Sequence, residues 1–207
     1  CGAGVRDLLG DDSTGRVRAV ACEDGWEYPA DDVVVGVGVA PADELAVAAG
    51  IECANGIVVD EFCRTSDPNI YPAGDCTNHA SAHYGCRLRL ESVDNAFEQG
   101  TGAALNMLGT ATPHHKVPWF WSDQFDLRLV IVGLSQTAEL AVLRGDPATR
   151  SFSVCYLRGG ELVAIDTINA MKDQMSARKM IPARMRPDLE KLGNATVPLK
   201  DCAASVT

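Results

Sequence analysis

The sequence predicts a mixed fold, α/β in its first part and α+β in its second, on three observations. Residues 32–40 (DVVVGVGVA) form a continuous, β-branched apolar run of the kind that fits a strand buried on both faces of a parallel sheet. Short apolar runs and helical patterns then alternate as far as Gly109. Beyond residue 126, β-rich runs follow one another with only short turns between them, which favours an antiparallel meander.

Each element has a local reason. Residues 17–29 hold two short apolar runs around Asp24-Gly25, a dipeptide suited to the positive φ angles of a tight hairpin turn. Pro41 stops the apolar run, and residues 42–50 (ADELAVAAG) are good helix formers closed by a glycine that can take the left-handed C′ conformation. Residues 56–66 and 69–75 supply two extended segments around Asp67-Pro68. Ser92 is a candidate N-cap for a helix in which Val93, Ala96, Phe97, Ala103, Ala104 and Leu108 recur at helical spacing, with Gly109 as its C′ residue. Residues 110–118 are polar and Pro-containing and read as a domain boundary. The β-rich runs are 127–134, 139–145, 151–157 and 161–169, with turns at Gly145-Asp146-Pro147 and Gly159-Gly160. Helices are expected over roughly 170–181 and 187–192. There are no internal repeats and no low-complexity segments.

The composition is that of a folded chain: 207 residues, 46% hydrophobic and 22% charged. A net charge of −10 disfavours nucleic acid and membrane surfaces, which need a basic face. Basic residues do gather late, at Lys172, Arg178, Lys179, Arg184 and Arg186, as a solvated helix face or a contact for an acidic partner. No apolar run is long enough to span a bilayer and no signal peptide pattern opens the chain, so the cytoplasm is the default. The first residue is Cys1 where an initiator Met is expected, which points to a fragment. The eight cysteines have no CxxC spacing, so a thioredoxin-like pair is absent and most read as reduced, small hydrophobes.

Three segments carry potential chemistry. IYPAGD (70–75) is an apolar run stopping at Gly74-Asp75; ligands of open α/β sheets bind beyond the carboxyl ends of strands, where a carboxylate can accept from a sugar-like hydroxyl. Read alone it is equally a turn. RLESVDNAFEQG (89–100) joins an Arg-Glu pair, Arg89 and Glu91, to a helix start at Ser92 and Val93, whose unpaired N–H groups and partial positive charge suit an electron-rich ligand edge. A plain helix packed on a sheet has the same pattern. PWFWSDQFD (118–126) clusters Trp119, Phe120 and Trp121, as core, interface anchor or aromatic wall beside a planar cofactor.

Together these segments closely resemble the FAD-dependent ferredoxin reductases that serve cytochromes P450 and Rieske-type oxygenases. The resemblance extends to VVVGVGVAP (33–41), NGIVVDEFCRTSDP (55–68), FSVCYLRGGELVAIDTIN (152–169) and VPLKD (197–201), nearly the whole chain. It implies electron flow from NADH through FAD to a [2Fe–2S] ferredoxin. It implies further that Asp75 meets the ribityl or pyrophosphate region of FAD, that Val93 at the helix start contacts the isoalloxazine ring, with Gly74, Glu91 and Ser92 as further cofactor-binding residues, and that Trp121 stands near the flavin edge facing the ferredoxin. Gly38 and Val39 would lie near NADH. The implied organisation is the tail of a Rossmann-like NADH domain over 1–40, the C-terminal part of an FAD-binding domain over 41–116, and a C-terminal reductase domain, concerned with dimerisation or interfaces, over 117–207, with an antiparallel sheet and helices. Rubredoxin reductases and apoptosis-inducing-factor-like oxidoreductases share these segments.

The two dinucleotide fingerprints of that family do not occur here. GAGVRD (2–7) lacks the preceding strand and the third glycine, and GVGVAP (36–41) lacks the third glycine. A non-catalytic folding or docking module is therefore a second reading of the isolated chain. Cys76, His79, His83 and Cys86 have spacing that allows zinc, but no metal is expected, because this stretch corresponds to a variable loop of the resembled family. No catalytic side chain is expected: nothing supports hydrolysis, and flavin chemistry asks the protein mainly for binding and orientation.

Overall fold

Asp24 and Gly25 turn the chain of the computed structural model much as the sequence predicts. Gly25 has φ +89° and Asp24 Oδ1 accepts from Trp26 N–H at 3.0 Å. The model describes residues 2–203, which divide into one unit ending at Ala40 and a second beginning at Pro41.

In the first unit the turn joins β2 (Val17–Cys22) to β3 (Glu27–Pro29), and β1 (Val5–Gly10) completes an antiparallel sheet of order β1-β2-β3. The GAGVRD stretch runs into β1, which pairs antiparallel with β2 and is followed by no helix. The strand expected over 32–40 does not form. Val34 is 97% exposed, and the segment adds no strand to the β1-β2-β3 sheet. A continuous apolar run becomes a central strand only where neighbouring strands flank it, and β1–β3 offer it none.

The second unit starts with α1 (Glu44–Ala48), closed by Gly50 at φ +73°. β4 (Ile57–Val59) pairs parallel with β5 (Thr77–Ser81), which pairs antiparallel with β6 (Cys86–Leu88). The two extended segments expected at 56–66 and 69–75 shrink to β4 alone. Asp60 ends β4 early, because its Oδ1 accepts from Phe62 N–H and Arg64 N–H, each at 2.9 Å, and bends the chain back. IYPAGD is likewise not a strand: Gly74, at φ +82°, forms a turn in which its carbonyl accepts from Thr77 N–H at 3.0 Å, leading into β5. Asp75 thus precedes a strand instead of following one.

α2 (Val93–Met107) has the expected caps. Ser92 Oγ accepts from Asn95 N–H at 3.1 Å, and Gly109 takes φ +83°. Its inward face differs from the apolar one expected. Val93 and Phe97 are 68% and 72% exposed, while Asn95, Gln99, Gly102 and Ala103 are buried. The face follows its surroundings, since Thr77, Asn78 and His79 of β5 are themselves buried polar groups that need partners.

The remaining strands are β7 (Trp119–Gln124), β8 (Leu127–Gly133), β9 (Leu140–Asp146), β10 (Ser151–Arg158) and β11 (Glu161–Ile168). They form one antiparallel sheet of order β7-β8-β11-β10-β9, not a simple meander. β11 is central because four successive residues, Leu162 to Ile165, are buried, so both of its faces are covered. The connection from β8 therefore passes to the far edge, where the mostly exposed β9 begins. α3 (Met171–Met180) packs on β11 and β8, and α4 (Leu189–Gly193) on β9. Their contact closes a core of Val130, Val132, Leu157, Leu162, Ile165, Ile181 and Leu192. Among the described residues no helix is long and apolar enough to cross a membrane.

Candidate functional site

The second unit brings IYPAGD and RLESV together. A Cβ built on Gly74 would meet Ala96 Cβ of α2 at 3.2 Å, so only glycine lets this loop lie so close to the first turn of the helix without displacement. Arg89 ties the same corner together: Nη1 donates to the Asp75 carbonyl at 3.2 Å, Nη2 pairs with Glu91 Oε1 at 2.7 Å, and Nε donates to Asn55 Oδ1 at 3.1 Å. Asp75 and Glu91 are exposed at that corner.

Ser92 caps α2 through Asn95, leaving the N–H groups of Val93 and Asp94 with no acceptor among the described residues. Two buried side-chain atoms there lack partners, Asn95 Oδ1 and Arg178 Nε. Asn95 lies in the first turn of α2, and Arg178 lines a cavity of about 390 Å³ with Asp94, Lys116 and Trp119. Burial works against the Lys116 charge, but Asp94 and Glu98, each 2.7 Å away, outweigh it and raise its pKa.

The aromatic cluster is a strand. Trp119 and Trp121 stack at 5.1 Å on one face of β7, opposite Val132 and Val130, which is the side of the sheet that α3 covers. The guanidinium carbon of Arg178 stands 3.6 Å from the Trp119 ring centroid. Arg178 therefore departs from the solvated basic face expected for it, while Arg184 and Arg186 pair with Glu161 at 3.8 and 3.2 Å. Gly38 and Val39 belong to the first unit, on the irregular segment after β3; Gly38 has φ +91°.

Sequence reasoning missed the support beneath the loop. Gln99, fully buried, accepts from Gly74 N–H at 2.8 Å through Oε1, and its Nε2 lies 3.2 Å from His79 Nδ1. Burial first, then His114 and Arg87, lower the His79 pKa to about 4. The available signal was a pair of amides, Asn95 and Gln99, one helical turn apart. Cys76 Sγ lies 3.6 Å from the Ala73 carbonyl and His83 packs edge-on against Tyr84. Among the described residues no three His, Cys, Asp or Glu side chains are grouped to hold a metal ion.

Two family models match the chain, Pyridine nucleotide-disulphide oxidoreductase over residues 1–100 and Reductase C-terminal over 119–203. The 5,5'-dehydrodivanillate O-demethylase ferredoxin reductase subunit of Sphingobium sp. is 44% identical over 94% of this chain and 47% of its own length. Residues 1–100 thus match the pyridine nucleotide-disulphide oxidoreductase family and 119–203 the reductase C-terminal family, and the chain is similar to ferredoxin reductases over nearly all of its own length.

Solved ferredoxin reductases share its fold. The crystal structure of the ferredoxin reductase for the CYP199A2 system from Rhodopseudomonas palustris has a TM-score of 0.91 and 40% identity, covering 98% of this chain and 50% of that one. The reductase in a covalent putidaredoxin reductase–putidaredoxin complex has a TM-score of 0.90 and 40% identity, covering 97% and 48%. The chain spans less than half the length of curated ferredoxin reductases that it matches. Within this reductase fold, the corner at Gly74, Asp75 and the start of α2 can receive a ligand that offers hydroxyl donors to a carboxylate and an electron-rich edge to helix N–H groups.

Proposed function

We propose that this chain is the C-terminal half of an FAD-dependent reductase that carries electrons from NADH to a [2Fe–2S] ferredoxin serving a P450 or Rieske-type oxygenase. The observation that carries the reading is the approach of the Gly74-Asp75 loop to the first turn of α2. The residues present fit a flavin nucleotide. Gly74 leaves room against Ala96, Asp75 offers an exposed carboxylate, Val93 and Asp94 offer free N–H groups, and Asn95 Oδ1 is a buried acceptor without a donor.

When bound, FAD supplies the conversion of a two-electron donor's equivalents into single-electron steps. The chain's own part is to bind and orient. Asp75 would accept from the ribityl or pyrophosphate region, Arg89 and Glu91 hold that corner in shape, and the N–H of Val93 beyond the Ser92 cap would meet the electron-rich ring edge. Trp121 would stand toward the ferredoxin, and Gly38 and Val39 would contact NADH. The domain division follows: residues 1–40 end the NADH domain, 41–116 end the FAD domain, and 117–207 form the C-terminal reductase domain. A cytoplasmic location accords with this role.

Titration of the purified chain with FAD, read as quenching of flavin fluorescence, tests the site. Saturable quenching supports the reading. No quenching by this chain, nor by a longer form carrying both dinucleotide fingerprints, would overturn it.

A further inference from the structure

We propose that Gln99 is a positioning residue that sets the Gly74-Asp75 loop, and that His79 fixes the orientation of its amide. The inference rests on the flavin reading for its purpose, but the geometry stands independently. Gly74 N–H can only donate, so the Gln99 atom 2.8 Å away must be the acceptor Oε1. The Thr77 hydroxyl, 2.7 Å from the same oxygen and 2.8 Å from the Gly74 carbonyl, closes the turn from the other side. Nε2 is then fixed as the donor toward His79 Nδ1 at 3.2 Å, which requires a neutral imidazole with its proton on Nε2.

The surroundings hold His79 in that state. The His114 ring meets it edge-on with centroids 4.8 Å apart, and Arg87 from β6 adds positive charge near it; both disfavour a second proton. Asp94 and Glu98 of α2 act on His114 instead. A buried relay therefore runs from the imidazole on β5, through an amide on α2, to the backbone N–H of the residue preceding Asp75. If His79 gained a proton, two donors would face each other and the amide would have to leave either the ring or Gly74.

The test compares the wild-type chain with Gln99→Leu and Gln99→Glu, reading amide hydrogen exchange of the peptide containing Gly74 together with flavin fluorescence quenching. Gln99→Leu removes the acceptor, so exchange at Gly74 should quicken about tenfold, with flavin affinity falling in parallel. Gln99→Glu still accepts from Gly74 but presents a second acceptor to His79, which Nδ1–H of the other neutral tautomer or of the imidazolium can satisfy. Its Gly74 protection should persist at acid pH where that of wild type is lost, a difference that a merely space-filling role would not produce.

Unchanged exchange in Gln99→Leu, or a Gln99→Glu pH profile parallel to wild type, would overturn the proposal. If Gln99→Leu does not fold, the Gln99→Glu profile alone decides. Altered exchange without flavin quenching, by this chain or by the longer form carrying both dinucleotide fingerprints, would sustain the positioning role while removing the flavin reading.

Discussion

Arg144 and Asp173 form a buried ion pair, Nε to Oδ2 at 2.8 Å, that joins the edge strand β9 to the first turn of α3. Arg144 is 3% exposed, and its Nη atoms donate to the carbonyls of Leu192, Asn194 and Val197. One guanidinium thus satisfies the end of α4 and the segment after it. Arg144→Ala should cost about 3–5 kcal/mol, because three carbonyls lose their donor and the half-buried Asp173 carboxylate keeps only the Ser153 hydroxyl. Urea unfolding of the purified chain measures it, and a loss below about 1 kcal/mol would contradict the role given to the network.

Ser92→Ala removes the acceptor for Asn95 N–H at the start of α2. The expected loss is about 1 kcal/mol, seen as a lower urea midpoint at unchanged slope.

Gly56 sits at φ +106°, and a Cβ there would meet the Cys76 carbonyl at 2.7 Å and Arg89 Cδ at 3.1 Å. Gly56→Ala should therefore cost about 1–3 kcal/mol and displace the arginine that holds Asp75 to Glu91. A crystal structure of the variant, together with its unfolding curve, checks both consequences.

Asp75→Ala in a full-length form should weaken FAD retention by roughly 1.5–3 kcal/mol, the value of a charge-assisted hydrogen bond. Flavin content after gel filtration reads the effect; full occupancy would remove Asp75 from the site.

His79 makes stability depend on pH in a defined direction. Above its ordinary value of 6.5 it is neutral whether the chain is folded or not and contributes no dependence. Between 6.5 and about 4 the unfolded chain takes up a proton that the folded chain refuses, so stability falls as pH falls, and the loss levels off below about 4. The total is roughly 3 kcal/mol at most. His79→Asn keeps an acceptor without the titration, so its unfolding free energy should fall less than that of wild type between about pH 7 and pH 5.

Local signals were legible and nonlocal ones were not. Asp24-Gly25, Ser92 and Gly109 act within a few residues of themselves, and each does what its chemistry predicts. β8 to β11 were readable from their apolar, β-rich runs, but β7 was read only as an aromatic cluster and the strand order was not legible, because hydrogen-bonding partners are chosen across the chain. Residues 32–40 show the opposite failure: an apolar pattern without neighbouring strands does not make a strand. The inward face of α2 was misread because hydrophobic periodicity is blind to a helix that packs on the polar groups of β5. Gly74, Asp75, Arg89, Glu91 and the α2 start become neighbours only once the fold brings them together, and Gln99 carried no motif and emerged only from contact.

The place of β11 at the middle of the sheet has a consequence for synthesis. The strand that joins the β7-β8 hairpin to the β9-β10 pair is the last of the five to leave the ribosome. Until it arrives, β8 and β10 each present an open hydrogen-bonding edge, the kind of surface that invites pairing with other nascent chains. Translation that stalls between residues 158 and 168 would leave two half-sheets with nothing to unite them, and such products are the ones chaperones should capture.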